Sequence, residues 1–316
     1  MNFNNQIIVG IFSSFLLANA AYAANKTGVA DSLNAGDSRL DLNYLYLGVT
    51  YNGTTSSSTS SLDYAAKSTG SYLIAAYLFG ITDRLNLAVT QGYSRTSSET
   101  SWTSAPNSYV YTSKTEGATN PSIGARYLLS DKKNGPMGLL IYGTFIPASA
   151  SSDAGVAQIE TNGVVTQAGI TGKAGNSASS SSIGATVIRP VAMGDAYVTF
   201  SYSATGEQST SGGAAKSGAL SVIQMGLENH ASSTATVRPY VNVIYTGSGY
   251  SGTTQIASHV DYSLGLEAIK DVTKSVSLSV TGEYGSTKSE SSSTSGSKNS
   301  LSGNYYLLGV RGMFFF

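Results

Sequence analysis

Apolar and polar residues alternate along much of the chain with a period of two. In residues 274–288, Val276, Leu278 and Val280 alternate with serine and threonine. Successive side chains of a β-strand point to opposite faces, so this segment predicts a strand with one apolar and one polar face. The same alternation occurs in residues 84–97, 116–130, 235–248 and 256–270.

Similar segments, rich in Tyr, Val, Leu and Gly, recur along the whole chain. We predict strands at residues 38–51, 67–81, 84–97, 116–130, 137–149, 178–192, 195–208, 214–228, 235–248, 256–270, 274–288 and 302–316. The connections alternate between two kinds. Short polar ones lie at 82–83, 131–136, 193–194, 229–234 and 271–273, and mostly longer, Ser/Thr-rich ones at 52–66, 98–115, 150–177, 209–213, 249–255 and 289–301.

This alternation of connections is typical of transmembrane barrels, which have short periplasmic turns and longer outer loops. We therefore predict an all-β fold, a closed antiparallel up-and-down transmembrane β-barrel of about 12 strands. The predicted location is the cell outer membrane of a Gram-negative bacterium, with both termini periplasmic. The outer-membrane lipid is then a partner of the apolar strand faces.

The segment 302–316 indicates which face of a strand points to the lipid and which points inward. One face carries only uncharged residues, with Tyr306 and Phe316 near its ends, and the other carries Arg311. A buried sandwich strand is the alternative for this segment alone. The pattern resembles the closing strand of bacterial outer-membrane barrels, and that resemblance implies that Phe316 helps to mark the chain for the barrel-insertion machinery.

Charges in the middle of the predicted strands fall on the polar face. A charge on the lipid face at mid-bilayer costs about 2–4 kcal/mol, so these side chains are expected to point inward. The candidate lumen-lining residues are Arg126, Arg238, Asn242, His259, Asp261, Glu267, Glu283 and Arg311. They form a polar ladder that either lines a pore or braces a plugged barrel.

Three segments, 67–81, 137–149 and 214–228, have no clear polar face. They predict that part of the lumen is apolar, with Leu140, Tyr142 and Ile146 on the inner wall. Tyrosines also recur near the outer strand ends, where an amphipathic ring favours the headgroup level. The predicted outer girdle is Tyr51, Tyr93, Tyr202, Tyr245, Tyr284 and Tyr306.

The amino-acid composition argues against several classes of partner and cofactor. Charged residues are 11% and the formal net charge is zero, so no nucleic-acid partner is expected. The chain has no Cys and 2 His, and we expect no metal site and no cofactor. Residues 1–23 predict a signal peptide cut after Ala23, residues 24–37 a periplasmic lead-in, and residues 38–316 the barrel.

The sequence contains one candidate catalytic arrangement. His259 is followed two residues later by Asp261 on the same face, near the outer end of a strand. Outer-membrane phospholipases place a Ser-His pair near that height, but the stretch characteristic of those enzymes is absent from the sequence. We therefore expect no enzymatic activity.

Two stretches carry a family resemblance. Residues 77–87 join two strands through Gly-Ile-Thr-Asp-Arg, and residues 116–129 lead through Gly-Ala-Arg-Tyr to a strand ending at Pro147. The chain resembles the outer-membrane proteins associated with the meta-pathway of phenol degradation. It departs from them at Thr119-Asn120, where an acidic residue is common, and after Pro147, where Ala-Ser replaces Thr-Gly.

The resemblance covers mainly residues 38–149, together with the strand plan and the end of the chain. It implies a transporter-like barrel and no defined binding residue. We expect a channel for diffusion of small solutes, including hydrophobic or aromatic ones. The alternatives are a non-conducting structural or adhesive barrel and a membrane-embedded hydrolase using His259. The solute itself is not predicted.

Overall fold

A computed structural model describes residues 32–56, 61–132, 135–148, 155–174, 178–210, 213–293 and 298–316. The predicted signal peptide, 1–23, and most of the predicted lead-in lie outside these residues. Within the described ranges, no helix is long and apolar enough to cross a membrane. The strands are β1 Ser38–Ser56, β2 Ser61–Gly80, β3 Leu85–Ser104, β4 Asn107–Ala118, β5 Ser122–Ser130, β6 Gly138–Ile146, β7 Gln158–Thr161, β8 Val164–Gln167, β9 Gly172–Lys173, β10 Ser180–Val191, β11 Gly194–Thr205, β12 Gln208–Thr210, β13 Gly213–Lys216, β14 Leu220–Ser232, β15 Ala235–Thr246, β16 Gly249–Ser251, β17 Thr254–Ile256, β18 His259–Thr273, β19 Val276–Ser293 and β20 Lys298–Phe315.

Twelve of these strands form a closed antiparallel barrel. Their order around the ring is β1, β2, β3, β5, β6, β10, β11, β14, β15, β18, β19 and β20. β20 pairs with β1 to close the ring, in a register that runs from Arg39 opposite Phe315 to Ser56 opposite Lys298. The predicted fold class and strand number are confirmed.

The two ends of the barrel differ. At one end, called here the short-turn end, short connections join β2 to β3, β5 to β6, β10 to β11, β14 to β15 and β18 to β19. The remaining strands, β4, β7, β8, β9, β12, β13, β16 and β17, extend the wall at the opposite, long-loop end.

Several predicted boundaries were wrong at the long-loop end. The predicted strand 116–130 is split between β4 and β5, and the predicted loops 52–66 and 289–301 are largely strand. Thr is enriched in strands, and the hairpin ladders of β1–β2 and β19–β20 continue to Ser56 and Ser292. The long hairpins therefore project past the segments that the apolar pattern marks.

The outer surface of the ring is apolar. Large side chains such as Leu264, Leu308 and Val280 are exposed on it. Tyr93, Tyr202, Tyr245, Tyr284 and Tyr306 are exposed in the same way, as predicted. Tyr51 was assigned wrongly: it is buried inside the barrel, because it shares strand parity with the inward residues of β1 and not with Tyr44.

Tyrosines also pack flat against the inner wall. Four of them lie opposite a glycine of the next strand, in the pairs Tyr142–Gly184, Tyr197–Gly226, Tyr240–Gly265 and Tyr305–Gly285. A Cβ at any of these glycines would overlap the tyrosine ring. Each ring therefore lies along the wall, over the space that the missing side chain leaves.

The residues that precede β1 enter the short-turn end. The side chain of Asn86 accepts a hydrogen bond from the Leu33 N–H, 3.0 Å, and donates one to the Leu33 carbonyl, 3.1 Å. Leu33 packs against the inward residues Ala76, Leu78 and Ala88. The described end of the predicted lead-in is thus docked inside the barrel mouth.

Candidate functional site in the barrel interior

All eight residues predicted to face the lumen lie on the inner face of the wall. Arg126 is on β5, Arg238 and Asn242 on β15, His259, Asp261 and Glu267 on β18, Glu283 on β19 and Arg311 on β20. Their side chains are buried or nearly so, while their neighbours along each strand are largely exposed to the outside. Whether they line a path for a solute stays a prediction.

Three of them form an ion-pair network near the short-turn end. The Glu267 carboxylate accepts hydrogen bonds from Arg311, 2.5 Å, and from Arg238, 3.0 Å. Arg238 also donates its Nε–H to Glu228 at 2.8 Å. Because these side chains come from β14, β15, β18 and β20, the network ties four strands together across the interior.

A second group continues the network along the wall. Lys132 donates to Asp195 at 2.6 Å, and His230 lies 3.7 Å from Asp195 and 3.6 Å from Glu228. Asp195, Glu228 and His230 are residue types that bind metals, and their ligand atoms lie within 4.8 Å of one another. Lys132 and Arg238 already neutralise the two carboxylates, however, so the group fits an ion-pair cluster better than a metal site.

The sequence interpretation missed one buried pair. Arg39 and Asp41 form an ion pair at 2.8 Å, with side chains that are almost fully buried, and Arg39 also stacks 5.8 Å from the Phe315 ring centre. Both lie on the inner face of β1. Their spacing of two residues places them on one face of a strand. Apolar residues occur on both faces of β1, however, so the sequence does not show which face points inward.

Arg126 lies on a different part of the wall from the network of Glu267, Arg238 and Arg311. It lies on β5, opposite Asn86 of β3 and Tyr142 of β6 in the strand register. Four strands of the ring separate β5 from β15, where Arg238 lies. Around the wall, Arg126 is therefore separated from Arg238, although its charge is close enough to act on Asp41 of β1.

Glu283 occupies a different environment. Its carboxylate accepts hydrogen bonds from Ser263 Oγ at 2.7 Å, Tyr240 Oη at 3.0 Å and Tyr305 Oη at 3.2 Å. Three hydroxyl groups thus satisfy this buried carboxylate, which forms no ion pair with any side chain in the described parts of the chain. Tyr240 and Tyr305 reach it because each lies flat over a glycine.

His259 and Asp261 lie further toward the long-loop end. His259 Nε2 is 3.7 Å from Asp261 Oδ2, and Asp261 Oδ1 accepts a hydrogen bond from the Lys288 N–H at 3.3 Å. Neither ring nitrogen of His259 has a hydrogen-bond partner. No serine hydroxyl is therefore hydrogen-bonded to His259 in the described residues, although a Ser-His nucleophile pair requires that contact.

The inner wall has two chemically different sectors. On β20, β1 and β2, buried side chains form an apolar cluster of Leu47, Val49, Tyr51, Ala66, Tyr72, Ile74, Leu301, Tyr305 and Leu307. On β15, β18 and β19, the inner face carries mainly polar groups, among them Asn242 and Ser263, while a smaller apolar cluster of Leu220, Val222 and Ile244 lies on β14 and β15. The predicted apolar part of the lumen is confirmed, and Leu140, Tyr142 and Ile146 also face inward as expected.

Known structures share this barrel. An outer-membrane channel from Pseudomonas putida F1 is similar with a TM-score of 0.54 and 10% identity, over 93% of this chain and 100% of that one. A Pseudomonas aeruginosa FadL homologue is similar with a TM-score of 0.50 and 10% identity, over 92% and 93%. The translocator domain of the autotransporter NalP from Neisseria meningitidis reaches 0.47 with 14% identity, over 97% and 95%.

The first two of these similarities define a class of protein by its architecture. The fold is that of a bacterial outer-membrane β-barrel, and the predicted resemblance to such barrels is confirmed. No protein-family model and no curated protein matches the sequence. Identities this low establish a shared fold and no shared substrate.

Proposed function

We propose that the chain is an outer-membrane channel through which small solutes with an apolar or aromatic portion diffuse. The observation that carries this proposal is the divided inner wall, in which the apolar cluster on β20, β1 and β2 adjoins a mainly polar surface on β15, β18 and β19. A solute with an apolar body and a polar group finds partners for both. A barrel of twelve strands also encloses a narrower lumen than a porin of sixteen or more, which favours small solutes.

The proposed orientation places the short-turn end in the periplasm, as in barrels with short periplasmic turns. Residues 1–23 then direct export, and the apolar outer face contacts the membrane lipid. Phe316 is exposed beside Ser38, where the insertion machinery could reach it. Replacing Phe316 with Ser should lower the fraction of the chain that shows heat-modifiable mobility, and an unchanged fraction would remove this role.

A non-conducting barrel is the second candidate, because the ion-pair network of Glu267, Arg238 and Arg311 spans part of the interior. Catalysis is not part of the proposal, since His259 lacks a hydrogen-bonded nucleophile among the described residues.

Planar-bilayer recording and proteoliposome swelling distinguish the two candidates. A channel should give stepwise conductance in KCl and admit phenyl glucoside, which joins an apolar ring to a polar group. Leu307 and Leu308 provide a matched pair, because the first faces the apolar inner cluster and the second faces outward. Leu307→Trp should reduce conductance and swelling several-fold, whereas Leu308→Trp should change neither. A closed baseline with every solute would establish the non-conducting barrel.

A further inference from the structure

Asp261 is a buried carboxylate whose negative charge is only partly balanced by the groups around it. Its exposed fraction is 2%, and its polar neighbours are the Lys288 N–H at 3.3 Å, the His259 ring at 3.7 Å and the Thr287 hydroxyl group. Across the described ranges, no lysine or arginine forms an ion pair with it. A buried charge is costly unless it is paired and hydrogen-bonded, so this position calls for a further positive or hydrogen-donating group.

Two hydroxyl groups lie beside the carboxylate. Thr287 is opposite Asp261 in the extended register of β18 and β19, and Gly303 separates Thr287 from Tyr51 in the next two strands. A Cβ at Gly303 would lie 2.9 Å from Tyr51 Cδ1, so the Tyr51 ring lies against this glycine. Its hydroxyl is thereby directed toward Thr287 and Asp261.

The two hydroxyl groups lie close to one another and to the Asp261 carboxylate. Tyr51 is 4% exposed and Thr287 5%, yet neither Tyr51 Oη nor Thr287 Oγ1 completes a hydrogen bond of normal geometry. The His259 side chain is 7% exposed, and both of its ring nitrogens lack partners. Four side chains that are at least nine-tenths buried therefore lie together on the inner wall, and three of them, Tyr51, Thr287 and His259, have polar atoms that complete no hydrogen bond of normal geometry.

The chemistry of the group favours a primary ammonium. An ammonium offers three N–H donors and no acceptor, and here it meets one carboxylate, two hydroxyl oxygens and a ring nitrogen. A hydrogen bond with an ionised partner is roughly twice as strong as a neutral one. A divalent cation such as Ca²⁺ takes six to eight oxygen ligands, more than this group supplies.

The rest of the ligand is indicated by what adjoins Tyr51. Its ring belongs to the apolar cluster, packed with Leu301 and Val49. We propose that Asp261, Thr287, Tyr51 and His259 bind the ammonium group of a small primary amine whose apolar body lies against this cluster. This site proposal rests on the proposed channel function, because it names the class of solute that the same lumen would bind.

Titration calorimetry on the full chain in detergent tests the site directly. Benzylamine is the probe, and benzyl alcohol is the control ligand with the same ring and no charge. Wild type should bind benzylamine at least tenfold more tightly than benzyl alcohol. Asp261→Asn should weaken benzylamine binding at least tenfold, whereas Glu290→Gln, at an exposed carboxylate, should leave it unchanged.

Thr287→Val is a second test in case Asp261→Asn fails to fold, because valine keeps the shape of the threonine side chain and lacks its hydroxyl group. It should weaken benzylamine binding several-fold while retaining heat-modifiable mobility. Equal affinity for the two ligands, no binding by wild type, or unchanged affinity in Asp261→Asn and Thr287→Val would overturn the site. Binding without conductance would refute the channel and keep the site, and conductance without binding would refute the site alone.

Discussion

Glu267 is the side chain on which the interior network depends most. It accepts hydrogen bonds from Arg311 and Arg238 and joins β18 to β15 and β20. Replacing it with Gln preserves its size and removes its charge. Arg238 keeps Glu228 as a partner, but Glu267 is the one acidic group that the described structure shows in an ion pair with Arg311.

The cost of Glu267→Gln follows from this geometry. Removing one partner of a buried ion pair costs about 3–5 kcal/mol, because the other charge is left uncompensated. Gln can still accept a hydrogen bond and Arg238 retains Glu228, so we expect the lower end, about 3 kcal/mol. Since each 1.36 kcal/mol is a factor of ten, the unfolding equilibrium should shift by roughly 150-fold.

The assay is reversible unfolding by denaturant in lipid vesicles, followed by the fluorescence of the single Trp and by heat-modifiable mobility. Glu290→Gln is the control, since Glu290 and Lys288 form an exposed pair at 3.8 Å and such pairs contribute about 0–1 kcal/mol. Adding Arg311→Met to Glu267→Gln should recover at least about 1 kcal/mol, because contacting residues couple. The reasoning is refuted if Glu267→Gln and Glu290→Gln are equally stable, or if the double variant is simply additive.

Three further outcomes are expected. Val280→Arg places a charge on the lipid-facing side of β19 and should cost about 2–4 kcal/mol in the same unfolding assay; a cost near zero would argue against a membrane-facing surface. Gly265→Val should displace the Tyr240 ring from the wall and, as overpacking does, cost about 1–3 kcal/mol; hydrogen–deuterium exchange of β15 that matches wild type would contradict this. Asn86→Ala removes both hydrogen bonds to Leu33 and should make the N-terminal residues more sensitive to added protease in detergent; unchanged cleavage would show that the docking does not depend on Asn86.

The strand faces that point to the lumen could be predicted from the sequence, because a charged side chain on the lipid-facing side is costly. Arg311, Glu267 and Glu283 each share a strand with apolar residues of opposite parity, so the cost of a charge in lipid fixes which way they point. Arg39 and Asp41 escaped this reasoning because β1 carries leucines on both faces, Leu42 outward and Leu47 inward. Tyr51 was misassigned for the same reason.

The partners of these charges could not be predicted. Arg311 and Glu267 belong to β20 and β18, with β19 between them, so their contact depends on the stagger of three strands. Strand stagger in a barrel is set by closure of the whole ring, and no local pattern encodes it. The docking of Leu33 against Asn86 was missed too, since residues 24–37 carry no alternation that would place them inside.

The seam between β1 and β20 has a consequence for the order of folding. Its pairs join residues at opposite ends of the barrel sequence, such as Arg39 and Phe315, whereas most other neighbours in the ring are joined by hairpins. Closing so long a segment carries the largest entropic cost of any pairing in the molecule. Until β20 is in place, β1 presents an unpaired edge that can pair with another chain. Assembly of the ring is therefore governed by its last strand, and the time before closure is when the chain is most prone to aggregate.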